Sequence, residues 1–394
     1  CADCLLKNPT DALKVANSGD TIIIDGGHHV VQNFIIDRSI KLQGKNGAII
    51  DGNRIGHVID VQANNVVIEG LIIEKSGASD VYEFAGIHAE DVTGCQFKSN
   101  VLRDVTYGIY LSKTENCLIE KNVSNGNAKD EILGGNGIHL WSSNNNKLIN
   151  NTVVHHRDGI YFEFSENLEV NRNRVHFNIR YGLHFMFCDG SDIENNVFEN
   201  NATGVALMYS KNLYLKNNQF TDSRGPRMQG VLLKDITDSL LEENHIYGNT
   251  TGAMLDSSSR NRFERNLFDR NGTAFEVYGN SENNKINGNT FIGNIFDVAT
   301  NTRENTNNYQ KNYWDRYRGF DMNRDGLGDV AYSPVQIFSY WMSKYPELSI
   351  LAGSSMLNFL EIMEKAFPVL TPTTLKDTSP LMKMPESKTY QKEL

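Results

Sequence analysis

The sequence predicts an all-β chain, a right-handed single-stranded parallel β-helix of about 22-residue coils with an N-terminal cap and an irregular, partly helical C-terminal tail. Three observations predict it. An Asn with an apolar residue three positions before it and another two after recurs at 100, 122, 151, 173, 196, 218, 244, 266 and 289, at intervals of 22, 29, 22, 23, 22, 26, 22 and 23. A Gly opening a second segment keeps the same beat at 86, 108, 137, 159, 182, 204, 230 and 252. Between these landmarks lie short alternating apolar runs separated by Asn and Gly, which suit strands and tight turns. One such unit cannot bury its own apolar face, so units must stack and close each other's core. The strict leucine pattern of a leucine-rich repeat is missing.

The N-terminal elements read as a cap. Thr10 is placed to cap a short amphipathic helix over residues 11–17, and strand pieces follow at 21–25 and 39–44. The two long intervals carry insertions, 125–136 and 222–229, each just before a Gly-opened strand. Insertions in a solenoid map to loops, often on the binding face. Domain boundaries are expected at 1–300 for the capped helix, 301–334 for a capping segment and 335–394 for the tail.

Charge and composition narrow the function. The formal net charge of −10 speaks against a nucleic-acid partner. No run of about 18 apolar residues offers a membrane span. Five cysteines are present; Cys1 and Cys4 form a CxxC at the start, open to a disulfide, a lipid-modified first cysteine or a metal role. Cys95 and Cys117 each lie five residues before the repeated Asn, which places them opposite one another in adjacent coils, about 5 Å apart and within disulfide range.

Side-chain alternation sorts each Gly-opened strand into two faces. Residues one and three after the Gly form the inner columns: Ile87, Ile109, Ile138, Ile160, Leu183, Val205, Val231, Ala253, and Ala89, Leu111, Leu140, Phe162, Phe185, Leu207, Leu233, Leu255. The outer columns are rich in His, Tyr, Trp and Met, and His88, Tyr110, Trp141, Tyr161, Glu163 and Met254 line the expected groove. His184, Met186 and Met208, with Met228 and His139 as helpers, are candidate copper ligands. Thioethers and an imidazole converging from a rigid sheet suit soft Cu(I) better than hard ions. Such a site is expected to be exposed, for transfer. A carbohydrate-active lyase, hydrolase or epimerase on the same face is the competing reading, although Glu163 and Asp256 fall about four coils apart.

Beyond the last coil, Asp321, Asn323, Asp325, Gly326 and Asp329 fit D-x-N-x-D-G-x-x-D, the first part of a calcium loop, with Tyr332 where the bidentate Glu of an EF-hand would stand. A turn held by its own Asx hydrogen bonds is the other reading. The run N-Y-W-D-x-Y-x-G-x-D-x-N-x-D-G-x-G-D-x-x-Y over 312–332, after a β-helix of 22-residue coils and before an aromatic tail, resembles the NosD family of periplasmic copper-binding accessory proteins for nitrous oxide reductase maturation. The resemblance spans nearly the whole chain. It implies a non-enzymatic role, transient copper cargo, and attachment to the inner membrane through the permease and ATPase subunits of an ABC transporter. Its other implied partners are a copper chaperone and nitrous oxide reductase. The tail is then expected to dock on the transporter through Phe338, Tyr340, Trp341, Leu357, Phe359, Leu381 and Met382, with a C-terminal cap on the β-helix as the other reading, and both roles open to the same tail.

Overall fold

A computed structural model describes residues 6, 8–132, 134–351, 354, 363–364 and 375–385. The chain forms two compact units, Cys1–Ala202 and Thr203–Leu394. Each is built of coils that contribute one strand to each of three parallel sheets, in the right-handed sense. In the first unit one coil runs through Gln96–Lys98 in sheet A, Val101–Val105 in sheet B and Tyr107–Ser112 in sheet C. The repeat interval sets the register: Gln96 lies opposite Leu118, Val101 opposite Val123 and Ile109 opposite Ile138.

The expected inner columns are the core. All sixteen residues, from Ile87 to Leu255, are at most 1% exposed. Phe162 and Phe185 meet edge-to-face with centroids 5.1 Å apart. Packing of this density makes each coil a template for the next, and truncating one such Phe costs about 3–5 kcal/mol.

The repeated Asn residues serve as a hydrogen-bonded column. In the first unit, Asn100 donates its backbone N–H (3.0 Å) and Nδ2 (3.1 Å) to Asn122 Oδ1, and Asn122 does the same to Asn151. Nδ2 also reaches back to a carbonyl of the preceding coil, as Asn122 does to Phe97 O at 2.8 Å. The turn itself is made by the residue before each Asn: Ser99, Lys121, Asn150, Arg172 and Asn195 all have φ between 52° and 58° without being glycine. A left-handed backbone costs such residues about 1 kcal/mol, which the amide column offsets.

The N-terminal helix runs Pro9–Val15, two residues earlier than the sequence predicts. Asn8, not Thr10, is its cap, accepting from Thr10 N at 2.9 Å, and Pro9 occupies the first turn where a missing N–H costs nothing.

In the second unit the chain beyond the coils closes the stack. Trp314 stacks on Phe291 at 4.1 Å and 9°. Val335 bridges Val298 at the edge of sheet C, and Asp377 bridges Tyr309 at the edge of sheet A. The helix Ile337–Lys344 lies on the outer face of sheet C, with Phe338 against Phe296 at 5.7 Å, Ser339 Oγ donating to Val298 O and Ser343 Oγ donating to Glu276 Oε1. For Phe338 and Tyr340 this favours the other reading of the tail, a cap. Phe338 and Tyr340 are buried in the cap, where they cover sheet edges that would otherwise stand open. Leu381 and Met382 are half-buried, their amides donating to Asn312 O and Gly326 O. Trp341 is half exposed and faces outward beside Tyr345. Leu357 and Phe359 lie outside the described residues.

Candidate functional site

On the outer face of sheet C in the first unit, stacking places one ring per coil and builds a continuous aromatic ladder. His57 stacks on His88 at 4.1 Å and 12°. The ladder continues through Tyr110, His139, Tyr161 and His184, with successive centroids 5.3, 4.7, 4.8 and 4.7 Å apart. Thus His and Tyr alternate because the coil period brings every outer-column residue into register.

The ladder is not the open face that the sequence predicts. His139 is 3% and His184 6% exposed. Tyr107 packs on His139, Tyr181 on His184, and the segment carrying Glu83 approaches the His139 ring at 4.0 Å. Tyr107 and Tyr181 stand on the repeating strands, each just before the strand-opening Gly, and the segment carrying Glu83 lies outside the repeat. Burial depresses the histidines: His139 is brought down to about 3, helped by Arg157, and His57 to about 4, helped by His88. Tyr110 and Tyr161 are pushed up, by burial first and by Glu83 and Glu163 second.

Two histidines are oriented by carboxylates that sequence reasoning missed. His88 Nδ1 donates to Asp60 Oδ1 at 2.7 Å. His184 Nδ1 donates to Asp158 Oδ2 at 3.4 Å, while Arg180 grips the same carboxylate through Nε (3.0 Å) and Nη2 (2.7 Å). Burial pushes Asp158 up, and the His184 and Arg180 hydrogen bonds more than offset it, so it stays ionised. His184 Nε2 is buried with no hydrogen-bond partner. Because Nδ1 carries the proton, Nε2 presents a lone pair. A carboxylate behind the imidazole and a free nitrogen in front is the arrangement metal-ligating histidines use. The signal was present: Asp158 immediately precedes the strand-opening Gly159.

The other candidate ligands fall as follows. Met186 is half-buried on the strand Tyr181–Met186, two residues from His184. Met208 and Met228 are half-buried in the second unit. His139 cannot share an ion with His184, since the Tyr161 ring stands between them. Among the groove residues, Trp141 lies under the Lys113 ammonium at 5.8 Å, and Met254 Sδ accepts from Gln229 Nε2 at 3.7 Å.

In the acidic loop the carboxylates bind their own backbone. Asp321 accepts from Asp325 N (3.2 Å) and Gly326 N (2.9 Å), Asn323 from Asp325 N, Asp325 from Leu327 N, and Asp329 from Met322 N. Tyr332, at position 12, instead donates to Asp297 Oδ2 at 3.1 Å. A second polar cluster went unpredicted: His28, Asp51 and Glu74 stack on sheet B of the first unit. Lys75 Nζ bonds Asp51 at 2.5 Å and Arg103 Nε bonds Glu74 at 2.6 Å, so the acids are already neutralised by side-chain cations.

Comparison with known proteins fits this architecture. The description "Right handed beta helix region" matches residues 7–153, and "Periplasmic copper-binding protein (NosD)" matches residues 129–319. The chain is 31% identical over 399 residues to the "Probable ABC transporter binding protein NosD" of Pseudomonas aeruginosa, covering 96% of this chain and 92% of that one. The chain belongs to the NosD family. A second NosD, from Stutzerimonas stutzeri, is 30% identical and covers 90% of this chain and 85% of its own. Two solved structures show a likeness in fold. PfbA, a surface adhesin of Streptococcus pneumoniae, has TM-score 0.57 at 12% identity, covering 71% of this chain and 84% of its own. A mannuronan C-5 epimerase A-module of Azotobacter vinelandii has TM-score 0.51 at 13% identity, covering 74% and 89%. No helix among the described residues is long and apolar enough to cross a membrane.

Proposed function

We propose that this chain is a non-enzymatic periplasmic scaffold that holds Cu(I) as cargo while the copper centres of nitrous oxide reductase are assembled. Its partners in this reading are a copper chaperone, the reductase, and the permease and ATPase subunits of an ABC transporter that keeps it at the inner membrane. Family membership and the names of the relatives support the accessory role. The observation that carries the copper site is His184, whose Nδ1 is tied to Asp158 while Nε2 is buried and unpartnered. Met186 on the same strand supplies a thioether, and imidazole with thioether favours Cu(I). Because the ladder is covered, ion entry and release require the covering segments to open, which a docking partner would drive.

Titration of the full chain with Cu(I) against a competing chelator tests this. His184→Ala and Met186→Leu should each lose the tight site, with Met208→Leu and Met228→Leu as comparison variants. Unchanged affinity in both His184→Ala and Met186→Leu, with normal reductase copper content in cells, would place the site elsewhere. Cleavage or epimerisation of a polysaccharide by the pure chain would instead favour the carbohydrate reading. Calcium in the loop 321–329 belongs to the same proposal as a structural clip. Chelation should then lower the melting temperature, and an unchanged melting curve would leave the loop an Asx turn.

A further inference from the structure

Cys95 and Cys117 stand in consecutive coils of the first unit. Leu118 N donates to Cys95 O at 2.9 Å, and Gln96 lies opposite Leu118, so the two cysteines occupy matching positions one coil apart. In-register neighbours on parallel strands are about 4.8 Å apart, inside the Cα range that a disulfide spans without backbone movement. Both are buried thiols in this structure, 0% and 1% exposed. At this corner later coils place an amide or hydroxyl: Cys117 N donates to Asn146 Oδ1 at 2.7 Å and Leu168 N to Ser191 Oγ at 3.1 Å. A cysteine can keep such a column, as Ser165 N donates to Cys188 Sγ at 3.4 Å in a neighbouring one, so what sets this corner apart is two sulfurs in successive coils.

We infer that Cys95 and Cys117 are joined as a disulfide that staples the two coils together. The oxidant is a protein disulfide of the oxidising compartment, so the inference rests on the periplasmic reading. In the folded chain the Cys95 thiol donates to Ala63 O and the Cys117 thiol to Glu115 O, each at 3.5 Å. Either thiolate can attack the oxidant first, while the core is still open, and the balance is the same with Cys117 leading. Cys117 displaces one sulfur of the oxidant to form a mixed disulfide, and the Cys95 sulfur then displaces the other. Two thiols lose two protons and two electrons, and the oxidant's disulfide becomes two thiols. Oxidation precedes closure of the core, after which the bond is shielded from reductants.

The test uses the full chain carrying Cys1→Ser and Cys4→Ser, purified from the periplasm without reductant and denatured in an alkylating agent. Peptide mapping should find Cys95 linked to Cys117, while Cys188, a buried thiol that donates to Met186 O, is alkylated. Alkylation of both Cys95 and Cys117 overturns the inference. The same chain made in a reducing cytoplasm and refolded in a glutathione redox buffer shows which premise failed. Linkage there alone faults the compartment, and no linkage in either faults the geometry. Reductant during refolding should lower the melting temperature by about 5 °C and leave a Cys95→Ala/Cys117→Ala variant unmoved.

Discussion

Asp377 ends the asparagine column that Asn312 carries. Its Oδ2 accepts from Asn312 N at 3.0 Å, Asn312 Nδ2 at 2.9 Å and Trp314 Nε1 at 3.0 Å, all fully buried. Every earlier member of the column both donates and accepts. The last has no following coil to receive its N–H groups, so an acceptor-only carboxylate terminates the chain of hydrogen bonds where another Asn would leave donors stranded.

Asp377→Ala should therefore destabilise the second unit by about 3–5 kcal/mol, since it strands three buried donors. Asp377→Asn should cost less, because one oxygen still accepts while its own amide hydrogens go unpaired. Denaturant unfolding with Trp314 fluorescence measures both. Equal loss in the two variants would show that the carboxylate's acceptor role is not what matters.

Much of this was readable in advance, and for one reason: stacking repeats each coil's environment. Any position that must be buried shows up as a column, which is why Ile87 through Leu255 and the nine Asn residues were placed correctly. What the period could not show is whatever occurs once. The Glu83 segment beside His139 is non-repeating, and Tyr107 and Tyr181 take a repeat position that other coils fill with Ala85, Asn136 or Thr203. Asp377 meets Asn312 across 65 residues of tail. Phe338 and Tyr340 carry the aromatic signature of a docking surface, yet an open sheet edge within the same unit is the nearer partner. The left-handed residue of each turn was also hidden, because Ser, Lys, Arg and Asn all take that place.

The buried histidines make the first unit acid-sensitive. His57 at about 4, and His139 and His156 at about 3, bind protons in the folded state far less readily than in the unfolded state, where they titrate near 6.5. Their contribution is fully present above pH 6.5 and is lost as pH falls toward the folded values, at roughly 1.4 kcal/mol per pH unit for each histidine. His139→Phe keeps the ring stack and removes one of these protons. It should flatten the loss of stability between pH 6.5 and 4. An identical pH slope in parent and variant would sink this account.

Asp297 works in the opposite sense in the second unit. It is 1% exposed, and burial pushes it up to about 7, with Arg316 opposing and Asp315 adding to the rise, while Tyr332 donates to it. A carboxyl whose folded value lies above the ordinary 3.8 binds a proton more readily when folded. Its contribution is thus complete below pH 3.8 and is lost as pH rises through 7. Amide exchange in the tail segment around Val335 should speed up between pH 6 and 8 after correction for intrinsic rates. Asp297→Asn should abolish that pH dependence, and its persistence in the variant would assign it to another group.

The last prediction separates orientation from ligation at His184. Asp158 is not itself a ligand in this reading; it holds the His184 ring and its tautomer through Nδ1. Asp158→Asn keeps the shape and can still accept from His184, but it removes the charge that makes the imidazole a stronger donor to a metal. Cu(I) affinity should fall about 10–100-fold, the usual cost of losing such a partner. A purely structural role for Asp158, as the partner of Arg180, would lower stability and leave affinity alone. The pH dependence of binding decides between them. Without the carboxylate the ring favours either tautomer, so the pH at which half the copper is bound should shift in Asp158→Asn. An Arg180→Gln variant, which frees the carboxylate while leaving the His184 contact, should retain the parent profile. If both variants behave alike, Asp158 supports the fold and His184 needs no orienting partner.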